Sequence, residues 1–271
     1  MFIISFCFAY FVSRDFHIAL FVGIFTVYAR IIYRYNTEAS IVNFSVHPKN
    51  NALFASGLVG IVIISFLLSK LRSIKWIKWI LHIAIIYIIA SFGEWIIHKY
   101  IMHCYIYSPW LLELTSKMSF ISYIKNSCVL HKNHHTSVKK DMTLSNINDE
   151  SELIFTYYTI FFITISIGLI SYPIIHILHL DISIIHHIIV TLIISILGVL
   201  IWNGIHPKMH DHNVQSSITF APPGINIIND KNDVFFKNHI MHHEIKGDMK
   251  GNYNVVFLGA DEILNTNRLI R

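Results

Sequence analysis

The sequence predicts an all-α integral membrane protein, in which four transmembrane helices form two hairpins beneath a helical cap on the cytosolic side. Two observations predict this class. Hydrophobic residues make up 54% of the 271 residues and charged residues only 14%, whereas soluble domains contain about 25% charged residues. In addition, four apolar segments are each long enough to cross a bilayer, which takes about 20 residues in a helix.

The four predicted spans differ in the polar residues that they contain. Residues 52–69 and 153–171 carry neither a charge nor a histidine, and residues 182–202 carry no formal charge. Residues 79–97 contain one histidine and one glutamate. All four segments therefore satisfy the length and polarity of a membrane-spanning helix.

The turns between these spans divide the polar parts of the chain between two sides of the membrane. Residues 70–78 connect the first hairpin and residues 172–181 the second, where Pro173 interrupts the apolar run. Both turns lie on one side, so residues 98–152 and 203–271 lie together on the other. That cap side holds 13 Lys and Arg residues, against four in the first turn, and the positive-inside rule therefore favours a cytosolic cap. The four positive residues of the turn oppose this orientation, and the alternative is that residues 70–78 lie in the membrane interface and the first hairpin does not span fully.

The chain divides into an N-terminal hydrophobic segment, residues 1–50, and a membrane domain, residues 51–271. The N-terminal segment is interrupted by Arg14 and Asp15. We therefore expect the segment to form an additional span, a re-entrant piece or an interfacial helix. It lacks the basic start and the cleavage site of a secretory signal, so we expect it to be retained.

The cysteines do not form a recognisable disulfide framework. Cys7, Cys104 and Cys128 show no paired spacing. They predict unpaired thiols and agree with loops that face a reducing compartment, where disulfides are rare. The net charge of +5 comes from scattered Lys and Arg residues, which indicates contact with the anionic cytoplasmic leaflet and not with nucleic acid.

Histidine is unusually frequent, with 18 copies against 16 acidic residues. Eleven of the 18 fall in four clusters, all on the predicted cap side. Residues three and four apart share one face of a helix, so each H-x2-H-H cluster directs three imidazoles to one side. The clusters are His98 and His103; His131, His134 and His135; His206, His210 and His212; and His239, His242 and His243.

Two of these clusters need a departure from regular helix geometry. On an ideal helix the side chains of His98 and His103 point about 140° apart. They reach one metal ion together only if the helix loosens, and otherwise each serves a different metal. Pro207 disfavours helical geometry at His206. We therefore expect the last span to end at residues 203–204 and His206 to lie at a joint.

The size of the histidine set predicts two metal ions. Neutral imidazole suits Zn, Cu, Fe and Ni, and about ten histidines exceed the four ligands of a structural zinc site. Ligating imidazoles usually donate their second ring N–H to a nearby polar group. The candidates for that role, with His212 as either a ligand or a neighbour, are Glu94, Asn133, Asp141, Asp211, Asn238 and Glu244.

The remaining histidines are predicted to be packed or surface residues. His186 and His187 lie about 28–30 Å from His206 along the same predicted helix, so they cannot reach the same site. The others in this class are His17, His47, His82, His176 and His179.

The four clusters, in this order around two hairpins, resemble the fatty acid hydroxylase/sterol desaturase superfamily of membrane di-iron enzymes. The resemblance covers roughly residues 80–265 and includes the tail GNYNVVFLGADEILNT after the last cluster. It implies no catalytic residues beyond the metal ligands. The ligands that it implies are His98, His103, His131, His134, His135, His206, His210, His239, His242 and His243.

The resemblance implies a non-haem di-iron monooxygenase of lipid biosynthesis, which uses O2 and carries two iron ions, or zinc after purification. We expect hydroxylation of a lipid acyl chain, because the H-x4-H spacing of the first cluster is similar to that of acyl and sphingolipid hydroxylases. The alternative is a sterol desaturase or methyl oxidase, or a carotenoid hydroxylase. The substrate would come from the bilayer, and electrons from a separate donor such as cytochrome b5 and its reductase. The implied location is the endoplasmic reticulum or its equivalent, with the metal site facing the cytosol.

A histidine-rich metal transporter is the alternative from a different class of protein. Transport sites use ionisable residues near the middle of the bilayer. The predicted spans 52–69 and 153–171 offer none, so the sequence favours the oxidoreductase.

Overall fold

The structure is a computed structural model, and the part of the chain that it describes is helical. Apart from one isolated bridge between Val138 and Leu144, every regular element in that part is a helix. The described residues are 2–37, 63, 65–68, 75–105, 119–145, 153–210, 234–244 and 251–268.

Helices follow one another along the chain and are numbered here in that order. A π-helical turn, Ile97–Met102, continues the third helix without a break. The helices are α1 (Phe2–Ser13), α2 (Phe16–Thr37), α3 (Lys75–Ile96), α4 (Ser119–Ser137), α5 (Tyr157–Ile177), α6 (Ile184–Met209), α7 (Val234–Glu244) and α8 (Ala260–Ile263).

Three of these helices are long and apolar enough to cross a membrane. They are α3 with its π-helical turn, α5 and α6. The predicted first span, residues 52–69, lies outside the described residues except at residues 63 and 65–68. The structure thus supports a helical membrane protein with three candidate spans in its described part, and four spans in two hairpins remain a prediction.

The ends of α5 and α6 differ from the prediction. Helix α5 passes through Pro173, and α6 continues through residues 203–204 and Pro207. A proline inside a helix leaves the carbonyl four residues earlier without its N–H donor, and membrane helices tolerate this because neighbouring groups satisfy the freed carbonyl. Asn203 does not end the helix, and its side chain bonds the backbone of Phe155. Its Oδ1 accepts the N–H of Phe155 at 2.7 Å, and its Nδ2 donates to the carbonyl of Phe155 at 2.9 Å. The prediction that the last span ends at residues 203–204 is therefore wrong.

The chain forms two compact units. The first comprises Met1–Ile85 and Tyr172–Ile184 with Arg271, and the second comprises Ile86–Ser171 and Ile185–Ile270. All the predicted metal ligands belong to the second unit.

In the first unit, the described part of the N-terminal segment folds into two helices, α1 and α2. Arg14 adopts a left-handed φ of 56° between α1 and α2, and the Asp15 carboxylate accepts the N–H of Ile18 at 3.0 Å, which caps the start of α2. Helix α1 has 12 residues, fewer than a span needs, and α2 has 22. The polar pair Arg14-Asp15 thus separates two helices, and the choice between an additional span, a re-entrant piece and an interfacial helix stays a prediction.

The start of α3 and the turn between α5 and α6 also meet in the first unit. The Lys78 ammonium forms an ion pair with Asp181 and donates to the carbonyl of His179 at 3.1 Å. His17 bonds the carbonyl of Leu178 in the same turn through Nε2, at 3.0 Å. The turn is therefore tied to α2 and α3 by polar contacts.

In the second unit, the C-terminal segment packs directly on α6. A core cluster joins them, and a Cβ at Gly198 would lie 2.4 Å from Cζ of Phe257. Only a residue without a side chain allows this approach. The buried members of the cluster are Met142, Trp202, Ile205, Met209, Phe236, Val255 and Val256.

We expect Gly198→Ala to destabilise the protein by about 1–3 kcal/mol, because the ring of Phe257 must move away from the added methyl group. Gly93→Ala is the matched control, since no described atom outside its own helix backbone lies within 4 Å of the added Cβ. The control should be neutral or stabilising by about 0.5–1 kcal/mol. Thermal unfolding in detergent micelles measures both, and equal unfolding midpoints would contradict the tight contact.

Candidate metal centre

Nine of the ten predicted ligands come together in two groups. Within each group, one ring nitrogen from every histidine lies within 4.8 Å of the others. The tenth, His206, lies beside the second group, with its ring centroid 4.9 Å from those of His134 and His239. The five-histidine group is His98, His103, His131, His135 and His242, and the four-histidine group is His134, His210, His239 and His243.

Each H-x2-H-H cluster contributes to both groups. On α4, His131 and His135 are four residues apart and join the five-histidine group, and His134 turns to the other group. On α7, His242 belongs to the five-histidine group and its neighbours to the four-histidine group. The two groups are adjacent, because the ring centroids of His135 and His243 lie 4.2 Å apart. The arrangement can therefore hold two neighbouring ions.

The π-helical turn brings His98 and His103 into one group. The N–H of His103 bonds the carbonyl of His98 at 3.2 Å, which is the i→i+5 bond of a π-helix. The wider turn stacks the two rings with their centroids 5.2 Å apart. Of the two possibilities that the spacing left open, the structure shows the loosened helix.

Four of the imidazoles bond a backbone carbonyl through Nδ1. A carbonyl oxygen only accepts, so each Nδ1 carries the proton and each Nε2 presents a lone pair. The pairs are His98 with Tyr253 (2.6 Å), His206 with Leu153 (2.9 Å), His210 with Met142 (2.9 Å) and His242 with Gly251 (3.0 Å).

The Nε2 atoms in turn face one another. His98 and His131 approach with their Nε2 atoms 3.1 Å apart, and His135 and His242 do the same at 3.1 Å. Across both groups such distances run from 2.9 to 3.4 Å. Nitrogens bound at about 2.1 Å to one ion lie about 3.0–3.4 Å apart, depending on the coordination angle. The spacing therefore fits a shared metal ion, which would relieve the repulsion between the lone pairs.

Unpartnered ring nitrogens in the four-histidine group give a second indication. Both nitrogens of His134 and Nδ1 of His239 are buried and have no hydrogen-bond partner among the described residues. Buried polar atoms are rarely left without a partner unless an ion or water binds there. The donor set, made of imidazole alone, suits Zn, Cu, Fe or Ni.

Burial holds seven of the ligand imidazoles outside the spans in the neutral form. Burial, with the neighbouring His242 as a lesser cause, lowers the pKa of His103 to about 3, and burial lowers the pKa of His242 to about 4. Neutral imidazole is the form that binds metal, so protons do not compete for these nitrogens near pH 7. Burial also holds the pKa well below its ordinary value at His131, His134, His135, His239 and His243.

The side chains predicted to accept the second ring N–H have other partners. Glu94 accepts hydrogen bonds from residues 254–257, and Asp141 caps a local turn by accepting from Thr143 at 2.7 and 3.1 Å. Asn238 donates to the carbonyl of Asn254. Backbone carbonyls take the role that the sequence assigned to these side chains.

The remaining side chains that were predicted to lie beside the ligands are only partly described. Asn133 is half-buried on α4, and its backbone carbonyl accepts from Thr136 at 2.8 Å. Asp211, His212 and the side chain of Glu244 lie outside the described residues.

Histidines predicted to lie away from the centre are outside both groups where they are described. Nε2 of His187 lies 3.2 Å from the hydroxyl of Ser171 and 3.2 Å from the carbonyl of Gly168. It therefore joins α6 to α5. It is 19 residues from His206, about 28 Å along the helix.

Two of the three cysteines are paired, which contradicts the prediction of free thiols. Cys104 and Cys128 form a disulfide with their Cα atoms 5.4 Å apart, and Cys7 is free. Cys104 ends the π-helical turn with a left-handed φ of 64°, and Cys128 lies one turn before His131. The sequence spacing of 24 residues gave no sign of this pairing, because it arises when α4 packs beside the π-helical turn.

Tyr253 is a residue of the centre that the sequence did not single out. It is buried, and its ring lies 5.9 Å from the rings of His98, His103 and His242, measured between centroids. Its carbonyl also orients His98. The tail GNYN, a polar stretch before apolar residues, pointed to this part of the chain. It did not show that the ring and the carbonyl of Tyr253 would contact the histidines.

The fold and the two groups together define a histidine-rich helical membrane protein whose clustered imidazoles can hold metal ions. Comparison of the chain with known protein families, with curated proteins and with solved structures finds no match.

We expect the wild-type protein to bind two metal ions and each of two ligand variants to retain one. The double variant His103→Ala/His242→Ala leaves three histidines in the five-histidine group, and His239→Ala leaves three in the four-histidine group. His186→Ala is the control, because His186 lies outside both groups. Mass spectrometric metal analysis after anaerobic reconstitution measures the stoichiometry. Unchanged metal content in both ligand variants would rule out the assignment of the groups.

Proposed function

We propose that this chain is a membrane-bound, non-haem di-iron oxygenase that uses O2 to hydroxylate a lipid acyl chain. The observation that carries the proposal is the convergence of neutral imidazole lone pairs in two adjacent groups. That arrangement fits two neighbouring metal ions. The order of the histidine clusters, similar to the fatty acid hydroxylase/sterol desaturase superfamily, supports iron and lipid oxidation.

The contribution of the protein to this reaction lies in holding and shielding the centre. When bound, the two iron ions would supply the activation of O2 and the oxidation of a C–H bond. Four of the imidazoles are fixed by carbonyls on their far side, which limits how far these four rings can turn. Burial of the ligands keeps bulk water from the centre, and water exclusion prevents side reactions.

A lipid substrate is supported by the place of the ligands on the candidate spans. His98 lies in the π-helical turn that continues α3, and His210 directly follows α6. A membrane lipid therefore reaches the centre from the bilayer without crossing water. The H-x4-H spacing favours an acyl chain, with a sterol or a carotenoid as the alternative substrate.

We propose that electrons come from a separate protein, such as cytochrome b5 with its reductase, and that the centre faces the cytosol of the endoplasmic reticulum. The 13 Lys and Arg residues of the two polar stretches support this orientation. Cytosolic disulfides are transient as a rule. In this orientation, cytosolic reductants therefore open the Cys104–Cys128 disulfide and leave two neighbouring thiols in the cell.

The orientation predicts three free thiols per chain in living cells. Rapid acid quenching, followed by alkylation of the denatured protein and mass spectrometry, counts them. A Cys104→Ser variant serves as the control and should lose one alkylated thiol. A stable count of one free thiol in the wild type would overturn the cytosolic assignment, because it requires an oxidising compartment.

The function predicts a new oxidised lipid in cells that express the protein. Lipid extracts of cells with the wild type, His134→Ala or His186→Ala are compared by mass spectrometry, with and without O2. We expect a hydroxylated acyl chain only with the wild type and His186→Ala, and only with O2. His134→Ala should still insert into the membrane, because the substitution alters the metal centre and leaves the candidate spans unchanged.

Other results of the same experiment identify the alternatives. A new double bond would identify the activity as desaturation, and an oxidised sterol would identify it as sterol oxidation. No new lipid from a protein loaded with two irons and supplied with electrons would overturn the proposal, and metal flux in liposomes would then indicate a transporter.

A further inference from the structure

The C-terminal segment, residues 251–257, orients only one of the two histidine groups. The carbonyl of Gly251 accepts from His242 at 3.0 Å, and the carbonyl of Tyr253 accepts from His98 at 2.6 Å. Both histidines belong to the five-histidine group. His210, in the four-histidine group, bonds instead to Met142.

This segment is held by the carboxylate of Glu94. Oε1 accepts the N–H groups of Val255 at 3.1 Å and Val256 at 3.0 Å. Oε2 accepts the N–H of Phe257 at 2.9 Å and the side-chain amide of Asn254 at 3.2 Å. Four donors use the full accepting capacity of a carboxylate. No other side chain among the described residues makes as many hydrogen bonds to this segment.

Glu94 and His98 lie one turn apart on the same helix, so the contacts form a closed loop. Glu94 binds the segment, the segment carries the carbonyl of Tyr253, and that carbonyl orients His98. Ser91, on the same side of α3, extends the attachment by accepting the N–H of Ala260 at 2.9 Å. The position of the carbonyls relative to the imidazoles therefore depends on this attachment to α3.

Glycine at position 251 is part of the same arrangement. A Cβ there would lie 2.3 Å from the carbonyl oxygen of Thr266. The amide N–H of Asn252 bonds that same oxygen at 3.1 Å. The close approach fixes the carbonyl of Gly251 at the start of the segment, and the hydrogen bonds of Glu94 fix the end of the segment.

We infer that Glu94 is a positioning residue for the five-histidine group and acts through the carbonyls of residues 251 and 253. The inference rests on the metal centre of the proposed function and not on its reaction. All four partners of Glu94 are donors, so a carboxylate satisfies them and an amide does not. Glu94→Gln places an NH2 group against backbone N–H groups, which displaces the segment without changing the size of the side chain.

The test measures metal affinity in two backgrounds that isolate the groups. In His239→Ala, Co2+ binds at the intact five-histidine group, and in His103→Ala/His242→Ala it binds at the intact four-histidine group. We expect Glu94→Gln to weaken Co2+ binding about 10- to 100-fold in the first background, as loss of an outer-shell contact does. The affinity in the second background should not change. The visible spectrum of bound Co2+ should shift in the first background alone.

Glu262→Gln is the matched control, since the Glu262 carboxylate, in the same region, bonds the side chain of Asn267. It should leave both affinities unchanged. Equal weakening in both backgrounds would show a general structural role for Glu94 and overturn the inference, as would unchanged affinity and spectrum in both.

If Glu94→Gln does not yield a folded protein, Ser91→Ala tests the same attachment more mildly. We expect a smaller loss of affinity confined to the five-histidine group, and no selective loss would overturn the inference. Failure of the wild type to bind two ions would instead contradict the proposed function, so the two failures are distinguishable.

Discussion

The hydrogen bond between an imidazole Nδ1–H and a backbone carbonyl is the interaction on which the rest of the centre depends. A carbonyl cannot donate, so this bond determines which ring nitrogen carries the proton. It also turns the lone pair of Nε2 toward the other rings. Without a cation those lone pairs repel one another at about 3 Å. A bound metal ion would therefore couple its binding to the ordering of this part of the chain, as happens wherever ligands converge only in the folded state.

The non-helical segments supply the carbonyls, and each serves a different part of the centre. The carbonyl of Leu153, before α5, accepts both the indole N–H of Trp202 and Nδ1 of His206. The carbonyl of Met142, after α4, accepts from His210. The C-terminal segment serves the five-histidine group in the same way. Helices thus bring the imidazoles together, and the segments between them orient four of the rings.

Departures from regular geometry coincide with the centre. The π-helical turn changes the spacing at which residues share a face, and without it His98 and His103 would diverge. Its end also places Cys104 beside Cys128, so the disulfide and two ligands of one group depend on the same local distortion. π-Helical turns occur often at functional sites, and here the distortion has an identifiable purpose, because it makes an H-x4-H pair converge.

The sequence alone determined what depends on local spacing. Apolar runs predict the spanning helices, and the i, i+3 and i+4 spacing of His131, His134 and His135 predicts three imidazoles on one face, because both follow from helix periodicity. Tertiary structure decided which histidine joins which group, which carbonyl orients each ring, that Cys104 meets Cys128, and that α6 continues through Pro207. These features depend on segments distant in sequence and on the neighbours that satisfy a strained or unpaired group, and local spacing contains no information about either.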